Sequence, residues 1–292
     1  MLENSIIFGN HKSLVGICTN AEGQDKDISL PAIILLNAGI LHRVGPNRFH
    51  VKLARKMAEY GFTVLRFDQS GKGDSETSKK GIEFEEQTVC DTRAAMDYLS
   101  FVKNIDRFIL IGICSGADYT VNVAYRDERV VGIIGINGYY LDNAILESMS
   151  SDITASIQGR YYRKNLFNIK SWMRFISGKS NICKIWHYVK TKIEHILKKE
   201  KQKVLFESDS TILKLLKNYN MPVLLVYSEG SSAWDTFQMV IADQINNLSG
   251  DKPVIKTIDK TDHVFALLES QSNLLDTVYQ WVMNEERSWI IS

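Results

Sequence analysis

The sequence is poor in the residues that mark disordered, secreted or metal-binding chains. It holds four prolines and four cysteines in 292 residues. So few prolines, with no low-complexity tract, exclude an extended disordered segment. Cys18, Cys90, Cys114 and Cys183 form no CxxC pair and no metal-ligand spacing. Reduced thiols are therefore expected, with no metal and no cofactor. No apolar run reaches the roughly 18 residues a membrane helix needs. The opening MLENSIIFGNHKS lacks the basic stretch and long apolar run of a secretory signal, so a cytoplasmic protein is expected. An excess of one charge is missing too. The 35 Lys and Arg nearly cancel the 34 Asp and Glu, which leaves no global pull toward nucleic acid or an anionic membrane.

What the chain does have is a strand–helix rhythm. At 45% hydrophobic it can bury one large α/β core. Residues 5–8 and 14–18 read as a short antiparallel pair. Apolar strands follow at 31–36 (PAIILL), 62–67 (FTVLRF), 108–113, 130–137, 222–227 (PVLLVY) and 254–258. Helical periodicity separates them at 48–60, 84–102 and 117–125, and again at 272–284. Such alternation implies a doubly wound, mostly parallel sheet.

The rhythm breaks between residues 141 and 218. No buried strand is legible there, and fifteen Lys and Arg stand against seven Asp and Glu, about +8 in a chain of net +1. Aromatic residues such as Tyr161, Tyr162, Trp172, Phe175 and Trp186 stud this stretch. The expected organisation is a core at 1–140 and 219–292, with a helical cap at 141–218.

The centre of the pattern is 107–120, RFILIGICSGADYT. A β-branched run turns sharply through Gly112-Ile113-Cys114-Ser115-Gly116 into a helix-compatible segment. Small residues flank the apex because the turn strains its central residue and packs strand against helix. This is the nucleophile elbow, and with it the chain resembles the α/β-hydrolases. Asn37-Ala38-Gly39 after a strand, Arg66-Phe67-Asp68-x-x-Gly-x-Gly-Asp-Ser75 and a late Asp262-His263 extend the resemblance over nearly the whole length. NAGILHRVGPNR and GICSGA are similar to hydrolases found beside exosortase or natural-product gene clusters.

The resemblance implies a set of roles. Cys114, at the elbow apex where most members carry serine, is the expected nucleophile. Ser115, one position on, would point away from the site. A helix dipole and a nearby imidazole would favour a Cys114 thiolate. His263 is the expected base, being the only histidine in the required late position; the others read as surface or packing residues, with His42 in a loop bordering the site. The usual acid slot, about four residues past the strand at 222–227, holds Ser231. Asp235 is the expected acid, Glu229 the alternative and Asp142 a third candidate. The oxyanion hole is expected from the backbone N–H of Ser115 with that of Gly39 or Ile40. Asn37 is expected to hold its loop, and Arg43, Asn47 and Arg48 are candidates for binding a substrate carboxylate or phosphate.

A cysteine also narrows the reaction. A thiolate attacking an alkyl ester makes an intermediate whose better leaving group is the thiolate itself, so collapse returns reactants. Thioesters and activated lactones carry no such handicap, and the dienelactone hydrolases, cysteine members of this fold, follow that logic. The expected function is an acyl hydrolase or acyltransferase working through S-acyl-cysteine. Its expected partner is a small acyl substrate, free or carried on CoA or an acidic acyl carrier protein that a basic cap would attract. A serine esterase using Ser115 and a non-catalytic binding protein are the competing readings.

Overall fold

A computed structural model of the chain describes residues 1–21, 30–77, 81–141 and 210–285. Eight strands form one sheet in the order β1-β2-β4-β3-β5-β6-β7-β8. β1 (Leu2–Phe8) and β2 (Leu14–Asn20) pair antiparallel, as does β2 with β4 (Val64–Phe67). All other pairs are parallel: β3 (Ala32–Leu36) lies between β4 and β5 (Phe108–Ile113), followed by β6 (Val130–Ile136), β7 (Val223–Ser228) and β8 (Val254–Ile258). The chain reverses its direction of travel across the sheet between β3 and β5. Open parallel sheets bind their ligands at such a reversal, outside the carboxyl ends of the strands.

Strand side chains alternate across the sheet, and each set meets its own helices. Ile33, Leu35, Ile109, Ile111, Ile134 and Val226 pack with Leu53 and Met57 of α1 (Phe49–Glu59). Ile34, Leu36, Leu110, Leu225 and Tyr227 pack with Met96 and Leu99 of α2 (Phe84–Lys103) and Val121 of α3 (Ser115–Ala124). The four-residue spacing of Phe49, Leu53 and Met57 thus marks a buried helix face.

Most of the expected cap, residues 142–209, lies outside the described residues, as do Asp142 and the aromatic residues singled out there. Its last stretch forms α4 (Thr211–Asn218), whose Ile212, Leu213 and Leu215 are buried in the core with α3. Past β7, the expected loop is instead helical: α5 (Ser232–Thr236), a π-helical turn over Phe237–Ile241, and α6 (Ala242–Asn246). The rings of Tyr227, Trp234 and Phe237 pack within 5.6 Å of one another, which ties this helical run to β7. The last helix, α7 (Leu268–Asn284), lies on the α1 face of the sheet. Among the described residues no helix is long and apolar enough to cross a membrane.

Candidate active site

The elbow sits at the carboxyl end of β5, in the middle of the sheet. Cys114 takes φ 55° and ψ −128°, a strained conformation costing on the order of 1–3 kcal/mol. The helix starts at once after it, at Ser115, two residues earlier than the periodicity suggests, because Cys114 alone makes the turn. Cys114 N–H donates to Ile136 O at 2.8 Å, hanging the apex on the end of β6.

The next residue of β6's exit loop, Asn137, is fully buried and holds the other half of the site. Its Nδ2 donates to His263 O at 2.8 Å, and its Oδ1 accepts from Ser228 N at 2.8 Å. Asn47, read from sequence as a possible anion ligand, instead donates to Val264 O at 2.9 Å and braces the histidine loop. Arg43 is likewise committed: its side chain pairs with buried Asp68 and, at 2.7 Å, with Asp74, while its N–H donates to Asp68 Oδ1 at 2.6 Å. This staples the loop after β3 to the loop after β4. Asn37 pins the same loop from below, donating from Nδ2 to Phe67 O at 2.8 Å. Arg48 caps α1 with a left-handed backbone.

At the position expected for an acid, Ser231 Oγ lies 2.8 Å from His263 Nδ1, a bond whose partner is neither Asp235 nor Glu229. Glu229 Oε2 accepts from Lys260 N at 3.3 Å. Asp235 sits in the first turn of α5. Two contacts set Ser231 in place. Its Oγ accepts from Ala233 N at 3.1 Å as the N-cap of α5. Gly230, before it, lies where a Cβ would come within 2.7 Å of Thr261 O, so only glycine lets the two loops touch.

A hydroxyl cannot balance an imidazolium as a carboxylate would, and the electrostatics follow. Burial holds the His263 pKa below its ordinary value, opposed by the charge of Asp262. Burial pushes the Cys114 thiol up, and Asp118 pushes it further, against a lowering hydrogen bond from the Ser115 backbone. The resting pair is therefore a neutral thiol and a neutral imidazole, not the thiolate the elbow alone suggests. Among the described residues Cys114 and His263 share no direct hydrogen bond; such contacts commonly tighten only around substrate. The sign of the pH dependence is fixed. A raised thiol pKa means alkylation of Cys114 by iodoacetamide rises only at higher pH than for free cysteine, and mass spectrometry of the Cys114 peptide across pH reads that midpoint.

Three further groups ring the thiol. Asp118, one helical turn on, accepts from the N–H groups of Tyr139 and Tyr140 at 2.9 and 2.6 Å; desolvation raises its carboxyl to about 7. Tyr139 Oη shares a 2.6 Å hydrogen bond with Ser232 Oγ, and the Tyr119 phenol, its pKa pushed up by burial, lies beside the Ser115 hydroxyl. Gly39, expected in the oxyanion hole, has its N–H on Ser115 Oγ at 2.8 Å. Ile40, its alternative, is almost fully exposed. Of these contacts only Ser231 carried a sequence signal, its position relative to β7.

Sheet order, elbow and the late histidine together define an α/β-hydrolase. Residues 32–233 match the family described as serine aminopeptidase S33, and the chain belongs to that hydrolase family. It is 37% identical over 82 residues to the uncharacterized protein YcjY of Escherichia coli K12, covering 27% of each chain. It spans about a quarter of the length of the curated relatives it matches. Among solved structures, proline iminopeptidase of Mycobacterium smegmatis superposes with a TM-score of 0.61 at 16% identity, over 98% of this chain and 99% of that one. A dienelactone hydrolase of Anabaena variabilis gives 0.57 at 11%, over 97% of each. At such identities these likenesses speak for the fold alone.

Proposed function

We propose that the protein is an acyl hydrolase or acyltransferase that works through an S-acyl-Cys114 intermediate on a thioester, ester or lactone. The observation that carries this reading is Cys114 at the strained apex of the elbow. A serine esterase using Ser115 is disfavoured because the Ser115 hydroxyl accepts the Gly39 N–H and stands one position past the apex.

Ser231 Oγ accepts the Ala233 N–H and lies 2.8 Å from His263 Nδ1. The mechanism uses the tautomer in which Nδ1–H donates to Ser231 Oγ, which leaves Nε2 as the base. In the first step the Cys114 S–H proton passes to Nε2 as Sγ bonds the acyl carbon. The carbonyl electron pair moves to oxygen, where the Ser115 and Gly39 N–H groups receive it. Collapse breaks the bond to the leaving thiol or alcohol, which takes the proton from Nε2. Water, an alcohol or an amine then attacks the thioester, giving its proton to Nε2, and Sγ leaves to reclaim it.

Without a carboxylate behind His263, the enzyme suits acyl groups with good leaving groups, thioesters first. The basic stretch at 141–218 favours substrates borne on CoA or an acyl carrier protein. Exposure to an activated acyl thioester should leave one acyl group on the Cys114 peptide by mass spectrometry, and none in Cys114→Ala. An adduct on Ser115, or one that survives Cys114→Ala, would sink the proposal.

A further inference from the structure

The Ser115 side chain, as distinct from its backbone, bears on the oxyanion hole. Gly116 drives the start of α3 onto the end of β3, where a Cβ would come within 2.5 Å of Leu36 O. That approach sets Ser115 Oγ 2.8 Å from the Gly39 N–H. The Gly39 backbone has φ +48° and open space on its Cβ side. One donor of the expected hole, the Gly39 N–H, is thus engaged by the chain's own atoms at rest.

The Ser115 oxygen accepts from the Gly39 N–H, and the Tyr119 phenol lies beside it. Tyr119 is itself held edge-on by Phe84, with ring centroids 5.7 Å apart.

We infer that Ser115 is a positioning residue that caps the oxyanion hole: its hydroxyl occupies the Gly39 N–H at rest and must leave it before that N–H can bind an acyl oxygen. The inference rests on the reading of Cys114 as nucleophile. Breaking one hydrogen bond of ordinary net strength slows acylation by a factor of about 3 to 10. A single hydrogen bond holds the hydroxyl there, so the cap is leaky and not a block.

The test compares two reactions of the same sulfur. Acylation by p-nitrophenyl acetate builds negative charge on oxygen and uses the hole; alkylation by iodoacetamide does not. Ser115→Ala should raise the acylation rate of Cys114 about 3- to 10-fold relative to its alkylation rate. Ser115→Thr, which keeps the hydroxyl, should give back the slower ratio. An acylation-to-alkylation ratio that is unchanged or lower in Ser115→Ala overturns the cap while leaving Cys114 as nucleophile. If Cys114 alkylates but takes no acyl group in either protein, the nucleophile assignment falls and the cap falls with it.

Discussion

Cys114→Ser is expected to lose acyl-transfer activity by about 100-fold or more, although it exchanges one atom for a smaller one of the same group. Serine is the residue most members of the fold use at this apex, so the loss has to come from its surroundings. A serine hydroxyl must be deprotonated as it attacks, and the imidazolium so formed needs a carboxylate at Nδ1. Removing that carboxylate from a serine triad costs on the order of 10⁴ in kcat. Here the position is held by Ser231, 2.8 Å from Nδ1 and buried. A thiol is several orders more acidic than an alcohol and asks less of its base. On the proposed mechanism, the cysteine and a hydroxyl in the acid's place are coupled. Cys114→Ser combined with Ser231→Asp should regain at least about tenfold over Cys114→Ser alone. Aspartate caps a helix as well as serine does, so α5 should keep its start. Hydrolysis of p-nitrophenyl acetate measures both variants. A Cys114→Ser protein as active as the parent, or a double variant no better than the single, would refute the coupling.

The fold was legible because its signals are local and repeated. The strand cores were readable as short apolar runs, and α1 as a four-residue apolar step. The elbow was readable because Gly112 and Gly116 have no substitute there. Of the candidate site, the places of Cys114 at the elbow apex and of His263 after the last strand were legible from chain order. The link between them was not. Ser231 stood in the right slot, but a hydroxyl there looks like an absence, and Asp235 and Glu229 drew attention because carboxylates are the usual answer. The loop expected after β7 is a helical run that holds Asp235 in its first turn. Its buried positions Phe237, Ile241 and Ile245 do recur every four residues, so the sequence held a cue that the search for an acid passed over. Asn47 and Arg43 show the opposite error. Polar side chains near a site suggest ligands, yet both are spent on holding loops, through partners 217 and 25 residues away in sequence that no local pattern announces.

Gly112→Ala should destabilise the fold severely, while Gly39→Ala, also a glycine of the site, should do so only mildly. The difference lies in what a new methyl group meets. At Gly112 it would lie 2.1 Å from Gly116 O and 2.2 Å from its carbonyl carbon, both backbone atoms of the turn itself. Nothing there can rotate aside. Either α3 lifts off β5 or the strand bends, and both movements open the core around Ala117 and Val121. A cost of at least about 3 kcal/mol follows, against a total stability on the order of 5–15 kcal/mol. Gly39 has no heavy atom within 4 Å of the built position, and only its φ of +48° resists a side chain. That strain is worth about 1–2 kcal/mol. Thermal unfolding followed by circular dichroism should place Gly39→Ala within about 8 °C of the parent and Gly112→Ala at least about 10 °C lower, or in the insoluble fraction. If the two variants melt together, the close approach of strand and helix at the elbow is not what holds Cys114 in its strained turn.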